Sequence, residues 1–105
     1  MSSNKPVQYQ LTPKALEDLD EVWRYTAETW SLDQADHYID RLAQAFEMIT
    51  SMPTLARART EFEPPVYIHP HQSHLVIYTL TNDRIDIVRI LGGRQNWQAI
   101  LRATE

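Results

Sequence analysis

The chain has 105 residues, no cysteine and a formal net charge of −4, from ten lysines and arginines against fourteen aspartates and glutamates. This length predicts a single domain over residues 1–105, because so short a chain buries only about two thirds of its unfolded surface and cannot build a second core. The lack of cysteine excludes disulfides and thiolate chemistry, and the acidic balance argues against binding nucleic acid mainly through its phosphates, so a protein target is favoured.

The first residues contain no apolar run typical of a signal peptide, and no apolar stretch approaches the roughly 20 residues that a membrane span requires. A cytoplasmic protein without membrane contact is therefore expected. Val7, Tyr9 and Leu11 alternate with polar residues, which predicts a short strand. Thr12 and Pro13 then have the residue types of a helix N-cap and first helical position, so a first helix should begin there.

The next two segments are predicted to be amphipathic helices. The apolar stripe of the first contains Leu16, Leu19, Val22, Trp23, Ala27 and Trp30, and its other side carries Glu17, Asp18, Asp20, Glu21, Arg24 and Glu28. Ser31 and Gln34 have the capping-box spacing that starts a second helix, and Pro53 should stop it. Because few residues separate the two helices, they should form an antiparallel hairpin.

The rest of the chain is predicted to form most of a sheet. Residues 54–65 lack a sustained period and are expected to be a loop, and Val66–Ile68 should form a short strand ended by Pro70. Residues 74–97 read as a β-hairpin that turns at Asn82-Asp83, and the last dozen residues as a brief helix or a frayed tail. This order predicts an α+β fold, with the helical hairpin packed on a mostly antiparallel sheet of three to four strands.

The helical hairpin contains two tryptophans and two tyrosines: Trp23, Tyr25, Trp30 and Tyr38. Trp23 and Trp30 lie on the apolar stripe and are expected mostly in the core, whereas Tyr25 lies off the stripe and is expected to be exposed.

Three histidines, His69, His71 and His74, surround the turn before the hairpin. Residues two apart on a strand share a face, so a zinc site is conceivable, but a proline separates the first two and no acidic residue nearby would orient the rings. An acid–base role is the alternative, since histidine titrates near neutrality, and partly exposed polar residues are the plain interpretation. No cofactor or metal is predicted.

Arg89, Arg94 and Trp97 are the candidates for contact with a target. Strict alternation puts Arg89 on the same face as the isoleucines before it, so its guanidinium either reaches solvent from the sheet edge or binds something specific. Arg94 and Trp97 follow the Gly92-Gly93 break, and arginine and tryptophan are residue types enriched at interface hot spots.

The chain resembles the ParE branch of the RelE/ParE toxin superfamily. The similarity rests on residues 11–25, LTPKALEDLDEVWRY, and residues 88–97, VRILGGRQNW, together with the order of the predicted elements. It extends from Val7 to about Leu101, and two motifs at the right separation are more specific than either alone.

The resemblance implies a non-enzymatic toxin of a type II toxin–antitoxin system, several relatives of which inhibit DNA gyrase. A ParD-like antitoxin would hold the toxin in a hetero-oligomer, and the aromatic residues of the helical hairpin are the candidates for its contact surface. We expect the antitoxin to dock as a helix in a groove or to add a strand to a sheet edge. Direct binding of nucleic acid by the toxin alone is not expected.

Two other functions stay open. The sister RelE branch contains ribosome-dependent mRNA endonucleases, which use basic residues on the sheet and a tyrosine or histidine near the C-terminus. Here Ile68, Pro70 and Gln72 stand where a basic residue would be needed, and Ile100 lies near the terminal position, so Arg94 alone remains. The histidine trio could substitute for the missing groups. The third possibility is a degenerate toxin that only binds its antitoxin.

Overall fold

The computed structural model describes residues 8–82 and 84–104, so Val7 and Asp83 of the predicted strand and turn lie outside the described residues. The elements in chain order are β1 (Gln8–Leu11), α1 (Pro13–Thr29), α2 (Leu32–Ser51), β2 (Tyr67–His71), β3 (His74–Thr81), β4 (Arg84–Gly92) and α3 (Trp97–Thr104). The predicted α+β class and element order are confirmed. No helix in this part of the chain combines the length and apolarity needed to cross a membrane.

Both predicted helix starts are confirmed by their caps. The Thr12 hydroxyl accepts a hydrogen bond from the Ala15 amide at 3.2 Å, with proline at the first helical position. The Ser31 hydroxyl accepts one from the Gln34 amide at 3.0 Å. These bonds satisfy amide groups that have no partner within the helix, and so they fix where each helix begins.

The four strands form one sheet in the order β1-β4-β3-β2, with β1 parallel to β4 and the other two pairs antiparallel. The predicted hairpin therefore supplies the two central strands. The prediction that Pro70 ends β2 is wrong, because the strand continues through Pro70 to His71. Proline is tolerated there because β2 is an edge strand, which needs hydrogen bonds on one side only.

The sheet has a core on each side. The helix-side core packs against α1 and α2 and consists of Ala15, Val22, Leu42, Phe46, Ile49, Val76, Tyr78, Ile85, Ile87 and Ile90. The back core lies between the sheet, α3 and the loop that joins α2 to β2. It consists of Phe62, Val66, Ile77, Leu91 and Leu101, with Trp97 and Val88 beside them.

A β-bulge in β4 interrupts the strict alternation expected for this strand. Ile77 pairs with Arg89 and Tyr78 pairs with Ile87, so Val88 is the extra residue between them. As a result Ile87 and Ile90 both reach the helix-side core. Arg89 lies at this bulge, where the backbone is bent and the side chain can leave the regular pleat.

The buried side of α1 differs from the prediction. Trp30, expected in the core, is 72% exposed, because it is the cap residue after α1 and its backbone is no longer helical. Asp18, expected on the outer side, is 8% exposed and lies between Ala15 and Val22 on the buried stripe. Tyr25 is exposed, as predicted, and Trp23 is half-buried with its indole N–H donating to Asp36 at 2.9 Å.

Candidate functional site

A buried ion pair joins α1 to the bulge of β4. The Arg89 Nε atom donates to Asp18 Oδ2 at 2.7 Å, and Nη2 donates to Oδ1 at 3.0 Å, which is the paired geometry that guanidinium and carboxylate groups prefer. The Ile90 amide also donates to Asp18 Oδ2, at 2.9 Å. The hydrogen bond that Arg89 donates to Asp18 raises the pKa of Arg89, while burial acts in the opposite direction.

This arrangement explains how the fold tolerates both charges. Each side chain is only 10% exposed, and each supplies the partner that the other needs inside the protein. The guanidinium is therefore directed towards α1, and little of it is exposed for contact with an external target. The signal in the sequence was the position of Asp18 between Ala15 and Val22, at helical spacing on the apolar stripe.

A cleft of about 230 Å³ lies beside the ion pair and brings together members of three predicted groups. Tyr25 from the aromatic set, His74 from the histidine set and Arg89 from the arginine set all line it, with Glu21 and Gln95. The cleft lies between α1 and the end of β4.

Residues 92–95, at the end of β4, form a hydrogen-bonded turn. The Gly92 amide donates to the Gln95 side-chain oxygen at 2.7 Å, and the Gln95 amide donates back to the Gly92 carbonyl at 3.0 Å. The Gly93 amide donates to the Ser73 carbonyl at 2.8 Å, so this turn is attached to the turn between β2 and β3. Arg94, which lies within the turn at residues 92–95, is exposed.

Trp97 lies apart from Arg89, on the back of the sheet. Its ring is half-buried, with its centroid 5.7 Å from that of Phe62, and the Arg59 guanidinium lies 5.5 Å from the Trp97 ring centre. The guanidinium of Arg102 lies 4.8 Å from the centre of the Phe62 ring. The structure therefore divides the three target-contact candidates: Arg89 is buried against α1, Arg94 is exposed, and Trp97 packs in the back core.

The histidine trio lies where α2 meets the β2–β3 turn. A hydrogen bond of 2.6 Å joins the Tyr38 hydroxyl to Nδ1 of His74, and the Tyr38 ring meets the His71 ring edge-on at 5.7 Å. Burial is the main cause that lowers the pKa of His69, His71 and His74. Repulsion from Arg41 contributes at His71, and repulsion from His71 contributes at the other two.

These histidines therefore favour the neutral form. Within residues 8–82 and 84–104, no three histidine, aspartate or glutamate side chains are placed to hold one metal ion. The Nε2 atom of His71 is buried without a hydrogen-bond partner in this part of the chain.

Exposed apolar side chains gather at the two ends of the helical hairpin. Tyr25, Trp30 and Leu32 are exposed near the α1–α2 turn. Two of the four predicted antitoxin contacts, Tyr25 and Trp30, are thus exposed, and the other two, Trp23 and Tyr38, are half-buried. Met48, Met52 and Leu55 are exposed at the other end, beside a cleft of about 210 Å³ that reaches Ile68 and Tyr78. Sequence reasoning missed this second set, although Met48 lies in the last turn of α2 and Met52 is the cap residue four positions later.

A family model described as "ParE toxin of type II toxin-antitoxin system, parDE" matches residues 9–97. The chain is 34% identical over 89 residues to "Toxin ParE1" of Mycobacterium tuberculosis, a match that covers 84% of this chain and 91% of that protein. It is 30% identical over 93 residues to "Toxin ParE1" of Caulobacter vibrioides, covering 89% and 96%. A solved structure described as "Chromosomal ParDE TA system from P. aeruginosa" has a TM-score of 0.71 at 16% identity, covers 82% of this chain and 95% of its own, and shares the fold.

Proposed function

Since this chain belongs to the ParE toxin family of type II toxin–antitoxin systems, we propose that it inhibits DNA gyrase by binding it and is neutralised by a ParD-like antitoxin. The observation that carries the proposal is the family match over residues 9–97, which spans α1, α2 and all of the sheet except Gln8. The net charge of −4 favours a protein target over nucleic acid. The gyrase target itself rests on the family resemblance.

A supercoiling assay tests the target. Purified toxin added to gyrase and relaxed plasmid should block supercoiling or trap cleaved DNA. Arg94→Ala should weaken this inhibition because Arg94 is the exposed member of the target-contact candidates, and Arg24→Ala, which removes an exposed arginine from α1, should leave it unchanged. Normal supercoiling at an excess of folded toxin would overturn the gyrase assignment.

The antitoxin surface is proposed at the end of the helical hairpin formed by Tyr25, Trp30 and Leu32, where large apolar side chains are exposed. A tryptophan exposed in the free protein and covered in a complex is a frequent hot spot. The P. aeruginosa structure is that of a ParDE system, which supports a partner of the ParD kind and a hetero-oligomer.

Trp30→Ser should weaken antitoxin binding by roughly tenfold or more, measured by calorimetry with a ParD-like antitoxin. Leu55→Ser is the matched control, because Leu55 is equally exposed but lies at the opposite end of α2. Equal losses in the two variants, or none in Trp30→Ser, would contradict this location.

The competing function is an mRNA endonuclease, and the contact between Tyr38 and His74, with His71 and Arg41 nearby, is the observation that favours it. These groups could move a proton and stabilise charge. Primer extension on translated messages after induction would then show cuts at codon positions, and the cuts would disappear in His71→Ala. Intact messages would exclude this function.

A further inference from the structure

An apolar cleft opens on the back of the sheet, on the side away from α1 and α2. Its volume is about 190 Å³, and it is lined by five apolar residues, Phe62, Pro64, Val66, Val88 and Leu101, together with Glu63, Thr79 and Arg89. An apolar cavity of about 150 Å³ is large enough to bind benzene. The cleft can therefore accept one bulky aliphatic or aromatic side chain.

Arginines and aromatic rings form a row beside this cleft. Arg59 lies over Trp97, and Trp97 packs against Phe62. Arg102 lies over the Phe62 ring. Phe62 belongs to both the row and the cleft lining. A side chain entering the cleft would thus meet Phe62, which lies next to Arg102, and Arg59 lies on the next ring of the row. Guanidinium groups bind carboxylates in paired hydrogen bonds.

Charge is divided between the two sides of the sheet. The helical hairpin, residues 13–51, carries three cations and nine carboxylates, a net charge of −6. The segments that cover the back core, residues 58–66 and 93–104, carry three arginines and two glutamates, a net charge of +1. An acidic partner is therefore repelled less at the back of the sheet than at the helical hairpin.

We propose that the back of the sheet binds an acidic peptide segment of a partner protein, with one bulky apolar side chain in the cleft and its carboxylates on Arg59 and Arg102. Glu63, which is exposed on the cleft rim, repels carboxylates from that side and so orients the acidic residues towards the arginine row. This inference does not rest on the gyrase target or on the antitoxin surface of the helical hairpin, although Trp97 belongs both to the row and to the target-contact candidates.

The test uses the full chain and three short fluorescent peptides. The first has a phenylalanine flanked by aspartates and glutamates, the second replaces the acidic residues with asparagine and glutamine, and the third replaces the phenylalanine with serine. In fluorescence anisotropy the first should bind tightest. Loss of the phenylalanine should weaken binding at least about tenfold. Loss of the charges should weaken it about threefold or more, since the ion pairs between the peptide carboxylates and the arginines are partly exposed.

Variants locate the binding. Thr79→Phe should fill the cleft and abolish binding of the first peptide, while circular dichroism shows an unchanged fold. Arg102→Glu should weaken it, Arg102→Lys should retain most of it, and Arg24→Glu, the same charge change on α1, should have no effect. The proposal fails if the acidic peptide binds no better than its neutral counterpart or if Thr79→Phe binds normally. It also fails if a single-stranded oligonucleotide occupies this surface more tightly, or if the surface mediates self-association that Thr79→Phe abolishes.

Discussion

On the side of the sheet covered by α1 and α2, the charged groups of Asp18 and Arg89 are buried and bonded to each other. On the opposite side, Arg59 and Arg102 lie over the rings of Trp97 and Phe62. The first arrangement attaches a helix to a strand and commits both charged groups to each other, beside the cleft that Tyr25 and His74 line. The second leaves two arginines over aromatic rings beside an open cleft, so arginine serves the fold on one side and is available for recognition on the other.

Removing either member of the buried ion pair should have the largest effect. Arg89→Ala or Asp18→Ala should each lower the free energy of unfolding by about 3–5 kcal/mol, because the remaining charge stays buried without its partner. Urea denaturation measures this. The double variant Asp18→Leu with Arg89→Met should lose much less than the two single losses added together.

A loss below about 1 kcal/mol in both single variants would show that the pair does not hold α1 onto β4. A variant that stays folded but fails to inhibit its target would instead assign Arg89 a direct role in target contact.

Trp97→Ala should have the next largest effect, a loss of about 2 kcal/mol, because the half-buried ring packs against Phe62 and under Arg59. Trp30→Ala is the matched control, since that ring is exposed, and should change the stability by no more than about 0.5 kcal/mol. Thermal denaturation of both variants checks the comparison. Similar losses would contradict the assignment of Trp97 to the back core.

Acid should destabilise the helix side through its histidines. The folded-state pKa values of His69, His71 and His74 are lowered, mainly by burial, so the unfolded chain binds protons more readily. The stability they contribute is complete above their ordinary pKa of about 6.5 and is lost as the pH falls through and below it. Melting temperatures measured between about pH 7.5 and 5.5 should fall, less so in His71→Gln, whereas His37→Gln, at an exposed position, should behave as the parent protein. A flat profile would contradict this.

The smallest effect is expected for Arg24→Ala. Arg24 forms an ion pair with Asp20 one turn away on α1, but both side chains are more than half exposed, and pairs of this kind contribute little. Urea denaturation should show no measurable change. A clear loss of stability would mean that surface charge on α1 matters as much as the buried pair, and would remove the contrast between the two.

The sequence was informative where the deciding contacts are local. Thr12 and Ser31 cap their helices within three residues, and such contacts can be recognised from spacing alone. The partner of Arg89 lies 71 positions earlier in the chain, and the bulge at Val88 that frees its side chain has no signature in residue alternation.

Trp30 illustrates the opposite error. Its position continues the apolar period of α1, but the helix ends at Thr29, and a pattern cannot orient a side chain beyond the last helical residue. Of the candidate residues, the exposure of Tyr25 was predictable, whereas the separation of Arg89, Arg94 and Trp97 required the three-dimensional structure.

The position of β1 has a consequence for how the protein is made. This strand pairs with β4, and the Thr12 hydroxyl that follows it donates to the Val88 carbonyl, 76 positions later. Contacts between distant parts of a chain form slowly because they close long loops. During synthesis on a ribosome, α1 and α2 emerge well before β4, because β4 lies later in the chain. We expect the helical hairpin, with Tyr25 and Trp30 at its tip, to be accessible to a partner before the toxin has finished folding.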